Sequence, residues 1–404
     1  MALSIRSIVL QAAAAVILIG PASAAVAVSP AGEGFQHFYN LEYEEAIAKF
    51  RREIAADPHK PDGYNHVAQA ILYRALFHSG LLENSLVSGD DLLLSLLRQP
   101  KLTLCQADDA EFQNALGRAM SLSQVRLREN TNDTDALYAL GAAYGLRANY
   151  SFLVKKSWLS AIRESSAGRK LHNRVAELEP GNVDARMMQG VQDYVIGSLP
   201  AGLRFLGAVA GIRGDKEAGL LTLQQVALEG TKTKVDTQML LATLFRHEQK
   251  PWTAMTYVHR LRRAYPRNYL LHFAEIYTYI DMRDERAAWD SLRALESGAG
   301  AGTSGYAAVQ AGKIGYTKGV IQCRFGHLDR ALEEMTLVAR ADGSGDEHTR
   351  LQAYERVGMI HDLRGKRKLA VQAYQVVVNS APESELARES QKYLAKPFRR
   401  KDSY

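Results

Sequence analysis

The sequence is poor in the residues that build reactive or metal-binding centres. Its 404 residues include two cysteines, Cys105 and Cys323. They lie far apart and form neither a C-x-x-C pair nor a Cys/His pattern with metal-ligand spacing, so the common cysteine metal sites are excluded. The two could pair in an exported chain, but two unpaired, mostly buried thiols are the favoured interpretation.

Catalytic signatures are also absent from the sequence. Glu248 follows His247, but no second histidine stands four residues after the first, as a zinc metalloprotease helix requires. The sequence contains no nucleophile elbow and no phosphate-binding glycine loop, and no strand precedes the alternating Gly298, Gly300 and Gly302. We therefore expect no enzyme, no cofactor, no metal and no small-molecule substrate.

Long apolar runs are scarce, and the clearest lies at the amino terminus. Residues 8–19 are apolar except for Gln11, follow Arg6 and precede Ala22-Ser23-Ala24, an A-x-A cleavage site. We interpret residues 1–24 as a secretory signal peptide cleaved near Ala24, with an uncleaved anchor as the alternative. The run is short for a membrane span, which takes about 20 residues. A cleaved, alanine-rich signal predicts a periplasmic or secreted bacterial protein.

The composition is that of a globular protein, with 47% hydrophobic and 23% charged residues. The formal net charge is +6, and +5 without Arg6, and it is spread along the chain. Such a charge favours anionic surroundings only mildly. Because the chain is expected to be exported and has no basic–aromatic binding module, we expect no nucleic-acid partner.

What the sequence does contain is a repeated helical pattern, clearest at residues 351–382. The first half of this stretch places four residues at the i, i+3, i+4 and i+7 spacing of one helix face: Tyr354, Val357, Gly358 and His361. After Gly365, the second half does the same with Ala370, Tyr374 and Val377, and Pro382 ends it. Two short one-sided helices joined by a tight turn are expected to pack as a hairpin.

Residues 351–382 resemble a tetratricopeptide repeat (TPR), a helix–turn–helix unit of about 34 residues. Roughly seven or eight related units follow one another, and Ala242 and Ile276 hold equivalent positions. The resemblance implies an all-α, right-handed superhelical solenoid of TPR-like hairpins with an irregular, insertion-bearing central region. It also implies that the first helices of the units line a concave groove where partners bind.

The pattern predicts the following organisation. Residues 25–296 form the solenoid, with a leucine-rich insertion at 77–104 and one long helix at 149–179. Residues 297–305 form a Gly-rich linker, for which an ordinary loop is favoured over a hinge. Residues 306–395 hold further repeats and a cap helix, and residues 396–404 are a loose basic tail.

Residues 135–230 are in addition similar to the central part of the Iml2-type eukaryotic TPR family. The similarity rests on Leu199-Pro200, which starts an apolar helix, and on the turn at residues 214–220. No functional residue is carried over from it. For the apolar stretch at 199–212 we favour a buried helix over one that contacts a membrane.

The helix faces beside the packing positions supply candidate groove residues: Gln69, Tyr73, Tyr138, Tyr194, Arg246, His247, Phe273 and Tyr277. Tyrosine offers rigid contact area and a hydroxyl, which suits recognition, although the favoured interpretation is that these tyrosines fill gaps between repeats. We expect a non-catalytic envelope scaffold whose partner is an unidentified protein or peptide. The alternative is a lipid or small-apolar-ligand binder that uses residues 77–104 and 199–212, with peripheral membrane contact.

Overall fold

The computed structural model describes residues 30–83, 101–202, 204, 213–341 and 346–399. All regular structure in these residues is helical, and consecutive helices pack against each other in pairs as helical hairpins. The expected all-α stack of TPR-like hairpins is therefore confirmed. The chain divides between Pro266 and Arg267 into two compact units, called unit 1 and unit 2 in chain order.

In its described residues, unit 1 contains five hairpins. Their first helices are α1 (Pro30–Tyr39), α3 (Pro61–His78), α5 (Thr134–Leu153), α7 (Met187–Gly197) and α9 (Lys234–His247). Their second helices are α2 (Tyr43–Ala56), α4 (Gln106–Glu129), α6 (Trp158–Leu178), α8 (Lys216–Glu229) and α10 (Pro251–Ala264). A 3-10 turn, η1 (Val183–Arg186), precedes α7.

Unit 2 contains three hairpins and a terminal helix in the part of the chain that the structure describes. The hairpins are α11 (Tyr269–Asp281) with α12 (Glu285–Gly300), α13 (Ala311–Arg324) with α14 (Leu328–Arg340), and α15 (Glu347–Leu363) with α16 (Arg367–Ser380). The terminal helix α17 (Glu385–Ala395) packs on α15 and α16 as a cap.

The hairpin of α15 and α16 shows why the repeat needs a small residue. The ring of Tyr374 lies directly against Gly358, and a Cβ atom built on Gly358 would lie 2.5 Å from Cε1 of that ring. Ala370, Tyr374 and Val377 are all fully buried, as their spacing predicts. Glycine therefore sets the separation of the two helices.

The expected single helix over residues 149–179 is wrong, because α5 ends at Leu153 and α6 begins at Trp158. In the turn, Lys156 has a positive φ of 52°, and the Ser157 N–H donates to the Ser151 carbonyl at 2.8 Å. The Trp158 ring then meets the Phe152 ring edge-on at 4.7 Å. A straight helix would separate these two residues by about 9 Å along its axis, so burial of the aromatic pair favours the turn.

Asp362, at the carboxyl end of α15, fixes the end of the described chain. Its side chain is 1% exposed and accepts two 3.0 Å bonds from Nη1 of Arg367. It also accepts a hydrogen bond from the Tyr374 hydroxyl at 3.1 Å and one from the Phe398 N–H at 2.8 Å. Residues 396–399 of the expected loose tail are therefore docked, and residues 400–404 lie outside the described part.

Several other expectations concern the same two units. Residues 297–300 of the expected Gly-rich linker continue α12, so the non-helical part of that stretch is residues 301–305. The Tyr306 hydroxyl after it lies 3.1 Å from Nδ1 of His272, and the choice between the favoured loop and a hinge is not tested. Cys105 and Cys323 are both free, but Cys105 is exposed rather than buried, because it stands before the first turn of α4, where its Sγ accepts the Asp108 N–H.

Some of the predicted segments fall outside the described residues. These are the signal peptide at 1–24, most of the insertion at 77–104, and all but the start of the apolar stretch at 199–212. Leu81 and Leu199, at the described edges of the last two, are buried. Among the helices that the structure does describe, none has the length and hydropathy to cross a membrane.

We predict that Gly358→Ala lowers the free energy of unfolding by about 1–3 kcal/mol, because the new methyl group overlaps the Tyr374 ring. Gly117→Ala is the matched control, since Gly117 is exposed in the middle of α4 and a Cβ there meets nothing within 4 Å. The control gains up to about 1 kcal/mol from helix propensity. Urea unfolding followed by circular dichroism measures both, and equal effects contradict this account of the hairpin.

We also predict that Asp362→Ala destabilises unit 2 by about 1.5–3 kcal/mol, because Arg367, the Tyr374 hydroxyl and the Phe398 N–H lose their common charged acceptor. Asp329→Ala serves as control, since Asp329 is 78% exposed and pairs with Arg364 on the surface, where such a pair contributes about 0–1 kcal/mol. Hydrogen exchange of α17 reports the loss directly. Unchanged protection of α17 in Asp362→Ala argues against the anchor.

Candidate functional site

The first helices of unit 1 carry a set of buried polar side chains, which we call the polar stripe: Asn65, Gln69, Tyr138, Asn149 and Asp236. Asn65 and Gln69 are one turn apart on α3, and Tyr138 and Asn149 share a face of α5. The amide of Asn65 donates to the Ala139 carbonyl at 2.9 Å, which joins the α3 and α5 parts. None of the five is more than 6% exposed.

Most of the polar atoms of the stripe are left without a partner. Within the described residues, the side-chain amide oxygen and nitrogen of Gln69 make no hydrogen bond, and the same holds for Asn149, although both side chains are 0% exposed. The Tyr138 hydroxyl and Oδ2 of Asp236 are unpaired as well. Buried polar groups are nearly always satisfied in proteins, so such a concentration indicates a place for ordered water or a ligand.

Helix α1 closes the stripe at the Asp236 end. The Tyr39 hydroxyl donates to Oδ1 of Asp236 at 3.1 Å across 197 residues of sequence. The Tyr39 ring also lies 5.0 Å from the Tyr265 ring, just after α10. The first and the fifth hairpins of unit 1 therefore meet through this one side chain.

Asp236 is the electrostatic centre of this contact. Burial raises its pKa to about 8, and the hydrogen bond from Tyr39 opposes the rise only partly. Burial, and after it the charge of Asp236, also raises the pKa of Tyr39, Tyr73 and Tyr265. At neutral pH the cluster consequently consists of a mostly protonated carboxyl group among neutral phenols.

A lysine lies at the border of the stripe. Asp184 accepts hydrogen bonds from the backbone N–H and the hydroxyl of both Thr231 and Thr233, at 2.8 to 3.2 Å. Burial alone would raise the pKa of Asp184, but these bonds hold it below its usual value. The clamped loop places Nζ of Lys232 4.5 Å above the Tyr138 ring, and the same atom lies 3.6 Å from Oδ1 of the exposed Asp135.

A histidine packs on the other side of Tyr138. The His172 ring centroid lies 4.7 Å from that of Tyr138, against Gly141. Burial, and secondarily the charge of Lys232, lowers the pKa of His172 to about 4, so this ring is neutral at physiological pH. Its two ring nitrogens have no hydrogen-bond partner in the described part of the chain.

The structure separates the eight residues that the sequence suggested. Seven of them are buried: Gln69, Tyr73, Tyr138, Tyr194, Arg246, Phe273 and Tyr277; His247 is partly exposed. Gln69, Tyr73 and Tyr138 belong to or border the polar stripe, whereas the Tyr194 hydroxyl donates to Glu248 at 2.8 Å. Phe273 and Tyr277 lie in unit 2. This burial agrees with the alternative that the tyrosines fill space between repeats, and their part in binding stays a prediction.

Sequence reasoning missed Asn149, Asp236 and Lys232. An aspartate in the first turn of a helix favours the helix dipole and so looks like ordinary helix-start chemistry. Asn149 could have been found, because it shares the helix face of Tyr138. As to metals, the described residues hold no group of three His, Cys, Asp or Glu side chains placed to bind an ion.

Asp236→Asn is expected to change the pH dependence of stability. Between its ordinary pKa of 3.8 and its folded pKa of about 8, wild-type Asp236 keeps a proton in the folded state that the unfolded chain has lost. The free energy of unfolding therefore falls as pH rises through this range, by at most about 1.4 kcal/mol per unit. Asn keeps the shape and the bond from Tyr39 but cannot ionise.

The measurement compares unfolding of the two proteins at about pH 5 and about pH 8. Wild type loses stability relative to the variant as pH rises, because all other titrating groups are common to both. A constant difference between the two proteins shows that Asp236 is ionised throughout.

Known proteins similar to this chain were found among solved structures alone. No family model matches the chain, and no curated protein matches it. Among solved structures, the human IFIT1 dimer with m7Gppp-AAAA is similar at 11% identity and a TM-score of 0.42, over 97% of this chain and 86% of that one. A monomeric IFIT1 mutant with Gppp-AAAA is similar at 11% identity and a TM-score of 0.40, over 97% and 87%. These values are too low to support any statement about the site, and the capped RNA is named for IFIT1 alone.

Proposed function

We propose that the protein is a non-catalytic TPR-type scaffold that binds a protein or peptide segment along the polar stripe of unit 1. The observation that supports it is the pair of side-chain amides, Gln69 and Asn149, whose donor and acceptor atoms are buried and unpaired. A side-chain amide carries one acceptor and one two-proton donor, which complement the C=O and N–H groups of a peptide backbone.

Without a ligand, the unpaired groups of the polar stripe destabilise the folded protein. Each buried polar group without a partner costs about 1–3 kcal/mol, and this cost is removed when water or a ligand pairs with it. An extended chain segment supplies regularly spaced donors and acceptors, and the tyrosine rings beside the stripe supply apolar contact. Ordered water would satisfy the same atoms without the ring contacts, and a segment that displaces it keeps the hydrogen bonds.

Access to the stripe depends on α1. Because Tyr39 joins α1 to Asp236 on α9, a segment that occupies the stripe has to separate these two helices or pass beside them. The hydrogen bond from Tyr39 to Asp236 and the ring pair of Tyr39 with Tyr265 each contribute about 1 kcal/mol. Helix α1 also packs on α3 through the ring pairs Phe35–His66 and Phe38–Tyr73, so we expect a bound segment to pass beside α1 rather than to displace it.

The place of action that we propose is the periplasm or the extracellular space, on the strength of residues 1–24. Expression with these residues intact, followed by fractionation and mass spectrometry, is expected to give an exported chain that starts near Ala25. A full-length chain retained in the cytoplasm contradicts this part of the proposal.

The binding experiment uses the double variant Gln69→Met/Asn149→Leu. These substitutions keep the approximate shape and remove the four unpaired amide atoms of Gln69 and Asn149, so we expect the free energy of unfolding to stay equal or to rise by about 1–3 kcal/mol. Crosslinking in native envelope extract is expected to recover a partner with wild type and at least about tenfold less with the variant, equivalent to 1.4 kcal/mol.

The control is Asn114→Leu/Gln225→Met, the same two substitutions at exposed positions on α4 and α8. It is expected to recover the partner as wild type does. If the Gln69→Met/Asn149→Leu protein is at least as stable as wild type and still recovers the same partner, the polar stripe is not the binding site.

A further inference from the structure

The hairpin of α5 and α6 carries a concentration of positive charge at its tip. Between Ala136 and Arg163 the sequence contains four basic residues and no acidic one. These residues are Arg147, Lys155, Lys156 and Arg163. They are gathered by the turn between Leu153 and Trp158, which brings the end of α5 beside the start of α6.

Three of these cations are held over aromatic rings of the same hairpin. The Arg147 guanidinium lies 4.5 Å from the centroid of the Tyr144 ring. Nζ of Lys155 lies 5.1 Å from the Tyr150 ring, and Nζ of Lys156 lies 5.5 Å from the Phe152 ring. Such contacts restrain long basic side chains, so the positive charge is positioned rather than spread through solvent.

A pocket of about 290 Å³ opens beside them, lined by Tyr144, Arg147, Ser160, Arg163 and Glu164. Glu164 is already engaged, because Arg147 Nε lies 3.1 Å from one of its oxygens and the Ser151 hydroxyl donates to the other at 2.7 Å. Arg163 has no carboxylate partner among the described residues; its Nη2 lies 3.5 Å from Oγ of Ser160. The pocket therefore offers one uncompensated guanidinium next to a hydroxyl.

We propose that this pocket binds the phosphate group of a small phosphorylated ligand. A phosphate presents several strong acceptor oxygens around one centre, which suits the N–H and O–H donors of Arg163 and Ser160, and the Arg147 guanidinium in the pocket wall adds positive charge nearby. Lys155 and Lys156 add attraction from the turn. The volume exceeds that of a phosphate ion, so an attached group also fits.

The site is separate from the polar stripe, since none of its lining residues belongs to the stripe. Its chemistry differs as well, because the stripe is enclosed and almost uncharged, whereas the pocket is open and cationic. Phosphate binding in this pocket therefore does not depend on protein or peptide binding along the polar stripe.

The first test titrates the full chain with inorganic phosphate at low salt by isothermal calorimetry. Arg163→Gln is expected to weaken binding at least about tenfold without changing the melting temperature, because Arg163 is exposed and makes, among the described residues, only the long 3.5 Å hydrogen bond to Ser160. Arg286→Gln, which makes the same charge change at a side chain that is 94% exposed in unit 2, is expected to bind as wild type does. Equal loss in both variants overturns the proposal.

A second variant guards against an effect of overall charge. Ser160→Ala removes the hydroxyl and leaves every charge in place, and it is expected to weaken phosphate binding several-fold. Arg147→Gln is less suitable, because it also leaves Glu164 without its cation. Wild-type affinity in both Ser160→Ala and Arg163→Gln overturns the proposal.

The source of the phosphate is distinguished with vesicles. If the ligand is a lipid headgroup, wild type floats with vesicles of phosphatidylcholine and phosphatidate but not with phosphatidylcholine alone, and Arg163→Gln does not float. Binding of inorganic phosphate without flotation assigns the pocket to soluble phosphoesters. Wild type that binds phosphate in neither experiment overturns the proposal.

Discussion

The close approach of two helices at a small residue is the constraint that sets hairpin packing in both units. Gly358 admits the Tyr374 ring, and Gly190 faces Gly219, where an added Cβ would lie 3.2 Å from the Gly219 carbonyl oxygen. Because these contacts use one face of each first helix, the other faces are left to meet the first helices of neighbouring hairpins. In unit 1 the first helices bury the polar stripe, and Tyr39 of α1 reaches Asp236 of α9.

Enclosure explains the chemistry of the stripe. A buried carboxylate without a cation is unfavourable, so Asp236 keeps its proton, accepts a hydrogen bond from Tyr39 and leaves its second oxygen unpaired. Asp184 is also a buried carboxylate, but it stays charged because it accepts four hydrogen bonds from the N–H and hydroxyl groups of Thr231 and Thr233. The amides of Gln69 and Asn149 have no such arrangement, and for that reason the stripe is better suited to receiving a polar chain segment than to stabilising the fold.

The turn at residues 154–157 divides what would otherwise be one helix and thereby creates a second kind of surface. It places Lys155 and Lys156 over aromatic rings and brings Arg147 of α5 near Arg163 of α6, where both line an open pocket. The polar stripe and the pocket both use residues of α5, but no residue belongs to both. One helix can thus serve both, because its successive faces point in different directions.

The hairpins follow from the sequence, since Gly358, Ala370 and Tyr374 lie close together in the chain and their spacing is a local property. The sequence also indicated Gln69, Tyr73 and Tyr138 as groove-side residues, but not their enclosure, nor the exposure of Cys105 or the docking of Phe398. The contact of Tyr39 with Asp236 across 197 residues depends on the tertiary structure. Local periodicity assigns a residue to a helix face, whereas the partner of that face depends on how successive hairpins stack, and small rotations at each hairpin add up along the chain.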